Sequence, residues 1–163
     1  MTTSLTFEAH LAAVEESGTR LVELATEAGL DAKVPTCPAW DVRALLAHQA
    51  MVHRWATAHV RGDDPGALPA QTTLRKRDDL PEFYREGLGA LLDALRTAPA
   101  DLRAMRFLND APPPREFWAR RQAHETTIHM VDALAATLGR FPIADEADLD
   151  PTVAADGIDE LLR

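Results

Sequence analysis

The chain has 163 residues, a length that supports one domain with a substantial core but not two. Hydrophobic residues make up 46% and charged residues 26%, a globular balance, and no segment has the apolar length needed to span a bilayer. The net charge of −9 and a single dense basic run at Arg75, Lys76 and Arg77 exclude a broad phosphate-binding face, so small molecules or proteins are the expected partners, with no nucleic acid and no membrane.

The N-terminal stretch lacks the basic and apolar regions of a secretory signal, so a cytoplasmic location is expected. Cys37 is the only cysteine, which rules out an intrachain disulfide and a zinc cage of cysteine ligands. Arginine-rich, alanine-rich composition suggests a GC-rich genome. The 3.6-residue period dominates and no segment alternates with a period of two, so the fold class is all-α.

The first helix is expected over residues 5–28, with Phe7, Leu11, Val14, Leu21 and Leu24 towards the core, Gly18 weakening its middle and Gly29 closing it. A connector with two prolines, "LDAKVPTCPAW", leads to Asp41 as N-cap of a second helix over residues 42–60. Residues 61–78 hold two prolines, two glycines and many charges, and are expected to form a long exposed loop. A third helix follows over residues 80–97, with Phe83, Leu88, Leu91, Leu92 and Leu95 as its apolar stripe. The fourth begins near Arg115 and stops at Gly139, anchored in the core by Ile128, Val131, Ala135 and Leu138. Four helices of this length fit an antiparallel bundle with crossover loops. Asp150 as N-cap with Pro151 after it starts a short additional C-terminal helix.

The fourth helix carries the unusual chemistry. Glu125 and His129 stand at i and i+4 on one face, with Trp118, Gln122 and Asp132 on the same side. A carboxylate oxygen and an imidazole nitrogen at this spacing can hold one divalent cation, provided another helix supplies a third ligand. The second helix offers His48, His53 and His59. His48 lies on the stripe of Leu45, Val52 and Trp55, His53 is about 140° away, and His59 is about 16 Å further along the axis, which selects His48. His124 and His129 are five apart, so "HETTIH" is not the two-histidine zinc motif of metalloproteases. Spacing alone leaves the bland readings open: a solvated Glu–His pair, a core histidine at position 48, a buried apolar Cys37, packing roles for Trp40, Trp55 and Trp118, and solvation for the loop charges.

Two stretches carry a resemblance: "VPTCPAWDVRALLAHQAMVHRWA" over residues 34–56 and "WARRQAHETTIHMVDA" over residues 118–133. Together they resemble the metal-binding domain of mycothiol-dependent maleylpyruvate isomerase and its actinobacterial relatives, members of the DinB-like superfamily of four-helix bundles. The family pattern is a "P-x-C-P-G-W" connector, a helix with "L-x-x-H" and a later "R-x-x-x-H-E-x-x-x-H-x-x-D-A" helix. Ala39 stands where the family commonly has Gly, and Met130 where a basic residue often follows the ligand histidine.

The resemblance implies a DinB-like four-helix bundle that binds a divalent metal through His48, Glu125 and His129, the trio that facing selects. It implies zinc as the metal, with nickel accepted in vitro, and mycothiol as thiol cofactor. Three protein ligands leave a position open, and metal binding favours the nucleophilic thiolate. The expected activity is then maleylpyruvate-type isomerisation or S-transfer to a small electrophile. Arg121 and Asp132 are candidates for orienting cofactor or substrate. A DinB-like hydrolase using metal-bound water, and a non-catalytic metal-binding or interaction bundle, stay open as alternatives, as does a homodimer. Longer isomerases continue into a C-terminal domain that supplies a functional arginine; the expectation here is a single domain over residues 1–163 without it.

Overall fold

The computed structural model describes residues 5–162; expectations for the first four residues and the last lie outside it. Its helices in chain order are α1 (Phe7–Ala28), α2 (Val42–Arg61), α3 (Gln71–Leu74), α4 (Leu80–Thr97), α5 (Pro114–Leu138), α6 (Ala144–Ala147) and α7 (Pro151–Leu161). No strand occurs among the described residues, only an isolated antiparallel bridge between Lys33 and Asp41. No helix among them is long and apolar enough to cross a membrane. The all-α bundle expected from the periodicity is the fold.

Local chemistry sets the helix ends. Thr6 Oγ1 accepts a hydrogen bond from Ala9 N at 3.1 Å and starts α1, and Asp41 Oδ1 accepts one from Ala44 N at 2.7 Å and starts α2, each satisfying a backbone donor that the first turn leaves free. Gly29 at φ +85° and Gly139 at φ +66° end α1 and α5 in a backbone region that side chains disfavour.

Four long helices form a ring in which α1 packs on α5 and α4, and α2 packs on the same two. Their directions follow from paired residues. Ser17 Oγ meets Thr127 Oγ1 at 3.0 Å, and Thr137 Oγ1 donates to Leu24 O at 3.2 Å, so α1 and α5 run parallel. Arg54 reaches Phe83 O at 2.7 Å and Arg61 reaches Asp93 at 3.1 Å, so α2 and α4 also run parallel. His48 meets Glu125 while His59 stacks on Trp118, so α2 and α5 are antiparallel. The order is up, down, down, up.

Two consecutive parallel helices need a connection that returns the length of the bundle, and residues 62–79 provide it. This segment stays largely exposed, as its charges and prolines suggest, but it is not a free loop. It makes a 3-10 turn at Pro65–Ala67 and the short α3, and buries Leu74 to 2% exposure. Gln71 Nε2 donates to Ala44 O at 3.0 Å and Arg75 pairs with Asp41 at 3.0 Å, which fastens the far end of the strap beside the start of α2.

The core departs from the sequence stripes in two places. Ile128 is 55% exposed and Leu138 37%, so they do not anchor α5; its inner face is Ala119, Ala123, Thr126, Met130 and Ala133. Bulk misled here, because α5 lies pressed along α1 and small residues let the backbones approach. On α4 the fully buried aromatic is Tyr84, whose hydroxyl donates to Gly18 O at 3.1 Å, while Phe83 stays at the rim under the Arg54 guanidinium. Gly18 lies where a Cβ would come within 2.6 Å of Leu88 Cδ1, so its place in the middle of α1 is explained by the close crossing of α4.

Candidate metal centre

The antiparallel crossing of α2 and α5 brings His48 to the Glu125–His129 face. Glu125 Oε1 lies 3.3 Å from His48 Nε2 and 3.3 Å from His129 Nε2, and the three atoms sit within 4.8 Å of one another. The two imidazoles meet edge to face with centroids 5.0 Å apart. Their ring nitrogens and one carboxylate oxygen thus face a common point. All three residues are half-buried, so the point is reachable from outside.

Neighbouring groups fix this arrangement. Asp132 Oδ2 lies 2.8 Å from His129 Nδ1, which engages that nitrogen and turns Nε2 to the Glu125 side. Arg121 Nη2 donates to Glu125 Oε2 at 2.5 Å, and its other amino group bonds Glu160 of α7. Arginine therefore occupies one carboxylate oxygen and the imidazoles face the other. Trp40, at the end of the proline connector, covers the site with its ring 5.0 Å from His48 and 5.8 Å from His129. It is a wall of the site as well as a packing residue.

The electrostatics match a dense charge cluster. Burial opposes ionisation of Glu125, yet its hydrogen bonds to His129, His48 and Arg121 outweigh that and hold its carboxyl far below the usual range. Burial likewise opposes charging of His129, but Asp132 and Glu125 raise it to about 9. Without a cation, the carboxylates call for a proton on this imidazole. A divalent ion would answer the same demand, and a His2Glu donor set with both Nε2 atoms turned to one carboxylate oxygen suits one.

Cys37 lies 3.6 Å from Asp132 Oδ2, with burial and that carboxylate raising its pKa. It is the wrong environment for a nucleophilic thiolate, in keeping with an unreactive cysteine.

The other two α2 histidines fare differently from their helical-wheel positions. His53, placed 140° from the inward stripe, is fully buried, its Nε2 3.0 Å from both Gln49 Nε2 and Thr126 Oγ1. Burial, aided by Arg54, lowers its pKa to about 3, so it is neutral. His48, assigned to the inward stripe, is the more exposed of the two. Because α4 and α5 flank α2 on both sides, its buried arc is wider than one stripe and His48 sits at the edge of it, where a site can open. His59 stacks on Trp118 with centroids 5.1 Å apart, far from the triad.

A second cluster escaped the sequence reading. His10 of α1 and His124 of α5 point their Nε2 atoms at Asp156 Oδ2 of α7, at 3.1 and 2.8 Å. Arg120 Nε reaches the same oxygen at 2.9 Å and its Nη2 reaches Oδ1 at 3.2 Å. Here the guanidinium already balances the carboxylate on the oxygen the imidazoles face, and all three candidate ligands are buried. Burial lowers the His124 pKa against the pull of Asp156, which leaves that imidazole neutral. The cluster is a bracket that fastens α7 across α1 and α5. Its partners are up to 146 positions apart, so no local spacing announces it.

An up-down-down-up helical bundle with a half-buried His2Glu triad defines the class. The chain belongs to the family described as the mycothiol maleylpyruvate isomerase N-terminal domain, whose pattern it matches over residues 11–134. The matched stretch runs from α1 into α5 and includes all three members of the triad. The family implies a metal-binding domain associated with mycothiol. No curated protein and no solved structure matches the chain.

Proposed function

We propose that this protein is a metal-dependent enzyme of thiol chemistry that binds one zinc-type ion through His48, Glu125 and His129 and acts with mycothiol on a small electrophile, as an isomerase or an S-transferase. The observation that carries the reading is the convergence of two histidine Nε2 atoms and one carboxylate oxygen, within 4.8 Å, on a half-buried face, in a chain of this family.

When bound, the ion would favour the thiolate form of a thiol ligand, which is the nucleophilic form, while three protein ligands leave room for it. The chain supplies the surroundings. Asp132 holds the His129 ring with Nε2 outward, and Arg121 holds Glu125 Oε2 so that Oε1 stays on the imidazole side. Trp40 shields the site from water at the connector end, strengthening the electrostatic interactions beneath it.

Elemental analysis of the purified protein beside His129→Ala tests the site. About one equivalent of zinc in the wild type and none in the variant is the expected result. A wild type that stays metal-free after incubation with zinc overturns the reading. Turnover of electrophiles by the loaded protein with and without thiol then tests the chemistry, since turnover that is indifferent to thiol belongs to a hydrolase.

A further inference from the structure

The strap that returns from α2 to α4 does not lie flush on α2. Between them is a cleft of about 350 Å3, lined by Met51, Val52 and Trp55 from the helix and by Pro65, Leu68 and Pro69 from the strap. That volume lies within the ordinary range for small-molecule sites. None of these side chains is charged.

The cleft's position relative to the triad follows from helix geometry. His48, Met51, Val52 and Trp55 stand at i, i+3, i+4 and i+7, one face of α2, and all four are half-buried. At 1.5 Å per residue, Trp55 lies about 10 Å along the axis from His48. The strap passes this face in the opposite direction: Pro65 and Leu68 lie beside Trp55 and Val52, and Gln71 and Arg75 are fastened at Ala44 and Asp41, beyond His48. His48 of the triad therefore lies on the same face of α2 as the cleft floor, one turn before Met51 and Val52, on the side towards which the strap runs. At the far end of the cleft Trp55 is wedged between His59 and Phe107, with centroids at 4.7 and 5.9 Å, which fixes the far wall.

We infer that this cleft is the subsite for an apolar tail, and that the electrophile handled at the triad is a monoacid or ester with an aliphatic chain rather than a compact diacid. The inference rests on the proposed metal site for the polar end of the ligand. A chain entering from His48 meets Met51, Val52 and Trp55 in turn, and each methylene leaves water for an apolar wall. A second carboxylate at the far end would lose its hydration against Trp55 and Leu68 with no charged partner among the lining side chains.

Isothermal titration of the zinc-incubated protein with straight-chain carboxylates from butanoate to octanoate tests this. Binding is expected to tighten about fourfold with each added methylene. Val52→Trp, which fills the cleft floor, should flatten the series. Leu68→Ser, on the strap and outside every helix, should weaken the long chains and spare butanoate, and it decides the matter if Val52→Trp fails to fold. Equal affinity across the series, or a series unchanged in the folded variants, overturns the inference. The same titration on His129→Ala separates the two proposals. A retained chain-length gradient with a uniform loss of affinity supports both, and a gradient in a protein that takes up no zinc supports the cleft and sinks the metal site alone.

Discussion

His129 Nδ1 lies 2.8 Å from Asp132 Oδ2, and this contact turns the other ring nitrogen of His129 towards Glu125. An imidazole so held is both oriented and made more basic, and loss of such a partner costs metal affinity without removing a ligand. Asp132→Asn should therefore weaken zinc binding about 10- to 100-fold in a chelator competition, whereas His129→Ala should abolish it. Equal affinity in Asp132→Asn and wild type would show that the carboxylate does not position the ring.

Much of this site was legible because its parts are local. Glu125, His129 and Asp132 share one helical face by spacing alone, and the facing of α2, together with the family pattern, adds His48 across the bundle. What spacing could not give is the effect of neighbours in space. Ile128 and Leu138 look like core residues on a wheel, yet the inner face of α5 is built of alanine, threonine and methionine because α1 crowds it. Residues 61–78 look like a solvated loop, yet parallel α2 and α4 force them to travel the length of the bundle, and travelling along α2 they bury Leu74. His53 sits about 140° from the apolar stripe of α2 and is still buried, because α2 has a partner on each side.

The bracket between α7 and the bundle makes a stability prediction. Asp156 is 2% exposed and accepts from Arg120 while facing His10 and His124. Its carboxyl is held below the usual range by those partners, which outweigh its burial. Asp156→Asn keeps the shape but removes the more deeply buried of the two carboxylates on Arg120, which retains Asp159 at 2.8 Å, a change that costs about 2 kcal/mol. Urea unfolding should read that loss, and hydrogen exchange should show α7 opening well before α1 and α5. A loss below ~0.5 kcal/mol would mean that the bracket is not what secures α7.

Acid sensitivity should have an identifiable source in His53. Its pKa is about 3 in the folded protein, against 6.5 for an ordinary histidine. Between these values the folded chain binds fewer protons than the unfolded chain, so stability is full above pH 6.5 and declines as pH falls, by about 1.4 kcal/mol per unit for this group. His53→Gln retains a hydrogen-bonding side chain and removes the titration. His124, lowered in the same direction, remains in the variant and keeps part of the acid slope. From pH 6.5 to pH 5 the wild type should lose about 2 kcal/mol more than His53→Gln in urea titrations. Parallel pH profiles would place the acid sensitivity elsewhere.

Gly18 provides a case where helix propensity and packing give opposite answers. By propensity alone, Gly18→Ala inside α1 should stabilise by about 1 kcal/mol. The added methyl, however, would sit 2.6 and 2.8 Å from the two Leu88 methyl carbons, and Leu88 is buried at the α1–α4 crossing beside the Tyr84 hydroxyl bond to Gly18 O. Overpacking of a filled core costs about 1–3 kcal/mol, so the crossing should win and the variant should be destabilised. Gly18→Ala combined with Leu88→Ala separates the two effects, because removing the Leu88 methyls makes space for the new one. The second change should cost less in the alanine background than in the wild type, a positive coupling readable in a double-mutant cycle. A stabilised single variant would mean that α4 shifts freely and that the close crossing does not constrain position 18.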